Sequence, residues 1–456
     1  MNRRTYLKFL IATLSSWGAC LNAQNGSGSK VRARRKESVI IVGAGVAGLA
    51  AAETLRANGF DNITLLEGRD RVGGRVWTSQ VWPDIPVDLG ASWIHGQRGN
   101  PITQLAREAG VNTSTTDYDN RTEYNPEGNR LSRAEERRWD KLSTQLHRWV
   151  VRQGNSSEQT LAQALAIKFS DLSDAEQAHL AYLVNGMIEQ ELAADAAEVS
   201  AGAYAYGKAF SGDDLLFPQG YMQVFAPRFA ALDIRTNQKV HTIQYQDNQV
   251  SILTDQQEFK TDRVIVTLPL GVLQRGDVTF APELPAAKQA AIAKIGMGCL
   301  NKLYLRFDKT FWPNDVEGFD YRSPDPGQWS QWLNLGYHTN EPVLLAFNSG
   351  SFARQIERHS DEKNVADAMM VLRRIFGQDI PSPIGHQMTR WATDPFSFGS
   401  YSFVAPGVTT ATVEDLARPV DNRLFFAGEA TSIDYPSTVH GAHLSGQKAA
   451  NRISNI

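Results

Sequence analysis

An α/β fold, with a parallel sheet whose strands lie far apart in the chain and a second, helix-rich body inserted between them, is what this sequence predicts. Three observations carry that expectation. Ser38-Val39-Ile40-Ile41-Val42 is a short apolar run that enters Gly43-Ala44-Gly45-Val46-Ala47-Gly48 and then the helix-forming stretch Leu49–Leu55. Two further apolar runs of the same kind, Val264-Ile265-Val266 and Leu424-Phe425-Phe426, stand hundreds of residues farther along the chain. Between them, residues 97–210 are mostly of helical pattern, with the amphipathic stretches Arg133–Arg152 and Ser173–Glu198. With 456 residues and 42% in the hydrophobic set, the chain is large enough for two such bodies.

The first strand, turn and helix each have a chemical requirement. Gly43 allows the tight turn, Gly45 lets a pyrophosphate approach the start of the helix, and Gly48 lets that helix lie close to the sheet. A second strand, Ile63–Leu66, ends at Glu67, where a carboxylate can accept hydrogen bonds from a ribose. The glycines alone would be weak evidence. Strand, glycines, helix, second strand and terminal acid in this order predict a dinucleotide site.

Composition narrows the alternatives. A formal charge of −3 gives no basic excess of the kind that nucleic-acid binding requires. The two cysteines, Cys20 and Cys299, build neither a disulfide framework nor a cysteine metal site, and no metal is expected. Residues 1–23 read as an export signal: Arg3-Arg4 precede the apolar run Phe9–Leu14, and small residues lead to Ala23. The paired arginines resemble a twin-arginine signal, which carries folded, cofactor-loaded proteins. The expected location is therefore periplasmic or an equivalent exported compartment, with the twin-arginine machinery as a partner. The apolar run is shorter than the roughly 20 residues a bilayer span needs, so no stable membrane span is expected. Residues 24–36 read as a flexible basic leader.

Directly after Glu67 comes Gly68-Arg69-Asp70-Arg71-Val72-Gly73-Gly74-Arg75, and then Asp88-Leu89-Gly90-Ala91-Ser92-Trp93-Ile94-His95-Gly96. These segments resemble the extended cofactor signature of the flavin-containing amine oxidases. The resemblance extends over residues 38–453 and implies bound FAD. It implies cofactor contacts from Gly43, Gly45, Gly48, Glu67, Arg69 and Arg75, and from Ala91, Ser92 and Trp93 along the flavin ring. It adds backbone contacts from Val240, an aromatic wall from Trp391, Gly428 and Glu429 beside the ribityl and pyrophosphate groups, and Thr438 and Val439 at the start of the last helix. The small residues of that helix start, Gly441 among them, read as allowing close approach to the flavin, while Gly446 is left open between that use and packing. Monoamine oxidases bond a cysteine to the flavin where this chain reads Gly399-Ser400-Tyr401, so the FAD is expected to be non-covalent.

The same resemblance implies the reaction. Lys302, in the strand-like Asn301–Phe307 whose alternation predicts one buried face, matches a lysine that holds a water against the flavin in this family. Tyr401 matches one wall of an aromatic cage. Thr438 stands where monoamine oxidases and some polyamine oxidases carry the opposite aromatic, a departure that argues against a symmetrical two-tyrosine cage. His95, within Gly90–Pro101, matches a substrate-positioning histidine of polyamine oxidases, and Glu191 matches a carboxylate in their tunnel, with Glu189 as the alternative. The implied activity is oxidation of a secondary amine of spermine or spermidine, with O2 as the second substrate. The YPSTVHGAHLSG stretch is closer to the histone-demethylase version of the motif. An L-amino-acid oxidase, and a flavoprotein without turnover, stand as alternatives. The expected architecture is a Rossmann-like FAD-binding domain interleaved with an α+β substrate domain, of the p-hydroxybenzoate hydroxylase-like kind. The FAD-binding parts are 37–96, 213–284 and 386–456, and the substrate parts are 97–212 and 285–385.

Overall fold

The computed structural model of the chain describes residues 35–154, 157–246 and 249–456. The export-signal reading, and nearly all of the basic leader, lie outside the described residues.

The nucleotide-type body is a five-stranded parallel sheet in the order Leu424–Phe426, Arg263–Val266, Arg35–Val42, Phe60–Leu66, Ile234–Arg235. Its central strand explains why the sequence there is apolar without alternation. Val39 and Ile41 enter one core with Leu49, Leu55 and Phe425, while Ile40 and Val42 enter another with Val240, Ile243 and Val264. A parallel strand covered on both faces needs apolar side chains at every position. The helices Val46–Ala57 and Val439–Ser454 cover the first face and cross at Gly446, where a Cβ would collide with the Ala47 carbonyl. A four-stranded sheet, Glu258–Thr261, Val250–Thr254, Val240–Gln244 and Thr279–Ala281, covers the other.

The second body is a six-stranded sheet, in the order Gly385–Met388, Leu300–Arg306, Val343–Ser349, Gln331–Asn334, Gly318–Tyr321, Arg121–Tyr124. Register places Lys302 opposite Phe347, Phe347 opposite Gln331, Gln331 opposite Asp320, and Asp320 opposite Glu123. Paired residues share a face, so this row crosses the sheet over four strand spacings, roughly 19 Å. The strand Leu300–Arg306 differs from its one-faced expectation: positions 301–305 are all buried. It is a central strand, with Leu303 and Leu305 packed toward the helix Asp361–Phe376 and Lys302 and Tyr304 turned toward the other body. The strand Gly385–Met388 carries this sheet past residue 385.

The chain crosses between the bodies where Trp93–Ile94, Leu215–Leu216 and Ser114–Thr115 form a small sheet. Arg98 N donates to Ser211 O at 2.7 Å there, and Gln97 N to Asp213 O at 3.1 Å.

The helix Arg133–Val150 forms near its expected limits, with Ser132 and Glu135 as a capping box. The continuous helix expected over Ser173–Glu198 does not form. The α-helix Asp174–Val184 passes into a π-turn at Asn185–Glu189, regains one turn at Gln190–Leu192, and stops at Ala193 with φ +55°. Tertiary bonds override the local propensity. Glu189 accepts from Ala196 N at 2.7 Å, and the Ala193 carbonyl accepts from Cys299 N at 2.7 Å. No helix among the described residues is long and apolar enough to cross a membrane, and none of their His, Cys, Asp and Glu side chains group as metal ligands.

Candidate active site

One cavity of about 1080 Å³ runs between the two bodies. Gln238–Val240 and Glu67 line one end, Lys302 and Tyr401 the middle, and Tyr118, Glu123 and Trp139 the other end.

At the first end, two helix N-termini meet the cavity, and unpaired first-turn N–H groups favour an anion there. The glycines divide by use. Gly43 has φ +108°, and a side chain there would meet Thr267 Oγ1; a Cβ on Gly48 would strike the Gly43 carbonyl. Gly45 and Gly428 have no heavy atom within 4 Å of a built Cβ; the bareness of Gly45 thus serves the cavity and not the packing, while Gly428 is also held to glycine by its φ of +135°. Glu67 is buried, its Oε2 accepting from Ala44 N and its Oε1 from Arg69 N, both at 2.9 Å. The Arg69 guanidinium is already engaged, in a bidentate pair with Asp394 at 2.8 and 2.7 Å and against the Phe396 ring. Arg75 Nη1 donates to Glu429 Oε1 at 2.9 Å and to Ser400 O at 3.0 Å. Glu429 Oε2 in turn accepts from Ser402 Oγ at 2.6 Å and Ser437 N at 3.0 Å. Thr438 caps the last helix, Oγ1 accepting from Gly441 N at 2.9 Å. Gly441 itself does not open the site: a Cβ there would collide with the Tyr435 carbonyl. The smallness of Gly441 and Gly446 is therefore a packing requirement, which corrects the flavin-facing expectation for Gly441. A bare cradle at Gly45 and Gly428, a buried acid and two helix starts are what a dinucleotide such as FAD requires.

In the middle of the cavity Lys302 is 4% exposed. Its Nζ donates to Asp88 O at 2.8 Å, Gly90 O at 2.7 Å and Ser92 Oγ at 2.6 Å. Burial pushes the ammonium pKa down, and the nearby Asp88 charge partly restores it. Burial raises the Asp88 carboxyl, against Thr78 Oγ1, Lys302 and the Tyr221 N–H. Trp391 Nε1 donates to Leu89 O at 3.1 Å, and its ring meets Trp77 edge-on at 6.2 Å. Ala91, Ser92 and Trp93 thus form a cavity wall held from beneath. Val240, Gly428, Glu429, Thr438 and Val439 also line the cavity. Tyr401 lines it with its hydroxyl donated to Gln190 O at 3.1 Å.

Farther out, the side chain of His95 is 48% accessible, open to the cavity while enclosed by protein. Its Nδ1 lies 2.9 Å from Asp214 Oδ2, which also accepts from Tyr118 OH at 2.9 Å, while Asp214 Oδ1 accepts from Gly96 N at 2.8 Å. Burial alone would lower the imidazole pKa, but the charge and hydrogen bond of Asp214, with Glu191 beyond, lift it to about 9. Glu191 lines the cavity; Glu189 does not. The Glu189 carboxylate turns into the protein, bonded to Asn185 Nδ2 at 2.9 Å and Ala196 N at 2.7 Å. Residues two apart on a helix point about 200° from each other, so the two carboxylates face opposite sides, and the π-turn at Asn185–Glu189 shifts the phase that decides which of them meets the cavity.

The structure therefore gathers Lys302, Tyr401, His95, Glu191, Trp391 and Thr438 around one space and leaves Glu189 outside it. Sequence reasoning missed Asp214, Tyr118 and Asp88. Asp213-Asp214 directly before Leu215-Leu216-Phe217-Pro218 was the available signal, since two acids at a crossing between bodies face the gap between them.

Residues 46–454 match the family model described as flavin containing amine oxidoreductase. The chain is 35% identical over 436 residues to polyamine oxidase 2 of Arabidopsis thaliana, covering 91% of this chain and 88% of that protein. It is 35% identical over 435 residues to polyamine oxidase 4 of Oryza sativa subsp. japonica, with the same coverages. Lysine-specific histone demethylase 1 homolog 1 of Oryza sativa subsp. japonica is 34% identical, but this chain spans 52% of it. Among solved structures, a putrescine oxidase double mutant redesigned in its cofactor binding has a TM-score of 0.75 at 22% identity, covering 92% of this chain and 99% of that one. That likeness establishes the fold.

Proposed function

This chain belongs to the flavin-containing amine oxidoreductase family and is an FAD-dependent enzyme; from that premise we propose that it oxidises a polyamine, spermine or spermidine, at a secondary amine. The observation that carries the reading is that one cavity holds both Lys302 and the carboxylate of Glu191. Asp214 is spent on His95, so that pair is close to neutral, and no cation pairs with Glu191 among the described residues. Glu191 adjoins Gln190, whose carbonyl takes the Tyr401 hydroxyl, and of the carboxylates lining the cavity it is the one we assign to a distal ammonium; holding one end of a long cation positions the next nitrogen for reaction.

Bound FAD supplies the acceptor for the hydride equivalent that leaves the carbon beside the nitrogen. Gly45, Glu67, Gly428 and the start of the helix Val439–Ser454 would hold it. The three ammonium hydrogens of Lys302, given to Asp88 O, Gly90 O and Ser92 Oγ, hold the cavity wall in place, and Trp391 and Tyr401 line the same cavity. The reacting amine must be neutral, because an ammonium nitrogen has no lone pair to support a developing C=N bond. In balance, a secondary amine, O2 and water give an aldehyde, a shorter amine and H2O2.

An amino-acid oxidase would need an arginine free to take a carboxylate. The two arginines of the outer cavity are engaged, Arg121 with Asp320 at 2.8 Å and Arg322 with Glu123 at 2.7 Å.

Anaerobic flavin bleaching of the purified protein tests the reading, with spermine, spermidine, N-acetylated polyamines, putrescine, benzylamine and neutral L-amino acids. Bleaching by spermine or spermidine, with the products identified, supports it. Bleaching by amino acids alone would sink it. Export of the folded, loaded enzyme through the twin-arginine route belongs to the same proposal. Its test is fractionation of cells expressing the full chain and its Arg3→Lys, Arg4→Lys form; equal distribution of the two would refute it.

A further inference from the structure

Behind the cavity wall lies a buried carboxylate that the reaction above does not use. Glu357 follows the helix Gly350–Ile356 and is 7% exposed. Its Oε1 accepts from Asn301 Nδ2 at 2.7 Å, Ala392 N at 2.8 Å and Cys299 Sγ at 3.4 Å. Its Oε2 accepts from Thr393 N at 2.9 Å and Thr393 Oγ1 at 2.8 Å. Five donors converge on one side chain, and they come from two segments. Cys299 and Asn301 flank the start of the strand that carries Lys302. Ala392 and Thr393 directly follow Trp391.

Asn301 completes the link. Its Oδ1 accepts from Trp391 N at 3.2 Å and Thr389 Oγ1 at 3.0 Å, and Thr389 Oγ1 accepts from Lys302 N at 2.8 Å. The backbones of Lys302 and Trp391 are therefore fastened to one polar cluster centred on Glu357, whose carbonyl also accepts from Arg390 Nε at 3.4 Å while that guanidinium pairs with Asp361 at 2.6 Å. The side chains of Lys302 and Trp391 then reach the same stretch, Asp88–Gly90, that leads into the cavity wall.

We propose that Glu357 is a positioning residue for the amine oxidation, setting Trp391 relative to Lys302 without touching the substrate. The assignment rests on the amine-oxidase reading of the cavity. A carboxylate suits the task because it only accepts, and every group facing it donates. An amide in its place turns one acceptor into a donor and sets it against the backbone N–H of Ala392 or Thr393.

The test uses the FAD-loaded enzyme and Glu357→Gln, which keeps the side-chain shape. Visible circular dichroism of the bound flavin reports the ring's surroundings, and anaerobic reduction by spermine reports the chemistry. Retained FAD, an altered flavin dichroism and a limiting reduction rate about tenfold lower are expected, with spermine affinity within about threefold of wild type. In a Trp391→Phe background the same change should cost less than about threefold, because both substitutions act on one element. Wild-type dichroism and rate, or a full additive loss in the Trp391→Phe background, would overturn the assignment. If Glu357→Gln does not fold, Thr393→Val removes one side-chain donor and should show the same changes in smaller measure; no change there overturns the assignment equally. Should spermine and the other amines leave the wild-type flavin oxidised, the functional reading fails, and the dichroism of the variants still decides the role of Glu357.

Discussion

Lys302 and Trp391 hold three consecutive carbonyls: Lys302 Nζ donates to those of Asp88 and Gly90, and Trp391 Nε1 donates to that of Leu89 between them. The two residues stand in different parts of the chain, and neither bond is readable from its own segment. Together they fix the strip of backbone that becomes the wall Ala91–Trp93. Lys302→Met removes two of these three bonds and the cation beside Asp88. An FAD-retaining variant with turnover lower by about 10²-fold is expected, the scale of losing one preorganised donor or charge in an active site. Turnover within a factor of a few of wild type would exclude Lys302 from the chemistry.

The division between Glu189 and Glu191 gives opposite expectations for neighbouring carboxylates. Glu191→Gln should raise KM for spermine at low salt by about tenfold or more, with kcat nearly unchanged, since it removes binding and not chemistry. Glu189→Gln should leave KM nearly unchanged and lower stability by about 1–3 kcal/mol, because the amide cannot accept from both Asn185 and Ala196 as the carboxylate does. Steady-state kinetics and denaturant unfolding separate the two.

The His95–Asp214 pair ties stability to pH. His95 titrates near 6.5 when unperturbed and is lifted to about 9 in the folded protein. A raised folded-state pKa means that the folded form binds the proton more tightly. Its stabilising contribution is complete below about pH 6.5 and is lost as pH rises through about 9. Melting temperatures of wild type and His95→Gln should therefore converge between those values. A difference that stays constant or widens over that range would contradict the pairing.

The two kinds of glycine predict two phenotypes. Gly45→Ala adds a methyl where no protein atom lies within 4 Å, so the apoprotein should melt as wild type does while FAD affinity falls. Gly446→Ala drives a methyl into the Ala47 carbonyl and should cost about 1–3 kcal/mol of stability with or without FAD. Thermal melts with and without added FAD read both.

Much of the nucleotide body was legible because its requirements are local. The apolar run 38–42, the glycines at 43, 45 and 48 and the acid at 67 each answer a constraint imposed within a few residues, so pattern and chemistry coincide. The substrate side was legible as residue types and not as geometry. Residues 189 and 191 fall about 200° apart around a helix, so one of them had to face away; which one stayed open, since the π-turn that sets the phase answers to contacts with residues 196 and 299. Asp214 offered only the weak signal of paired acids before an apolar run, and Glu357 carries no local pattern at all. Each matters because distant backbone N–H groups and side chains converge on it.

The sequence by itself determined the class of fold, the cofactor-binding turn and the set of residue types from which an amine-oxidising site is made. Only the tertiary structure decided which carboxylate faces the cavity, that Gly441 and Gly446 serve packing, and that Lys302 and Trp391 share one anchor. The reason is physical: turns and strand faces follow from short-range sterics and periodicity, whereas a side chain's hydrogen-bond partners and burial depend on segments hundreds of residues away.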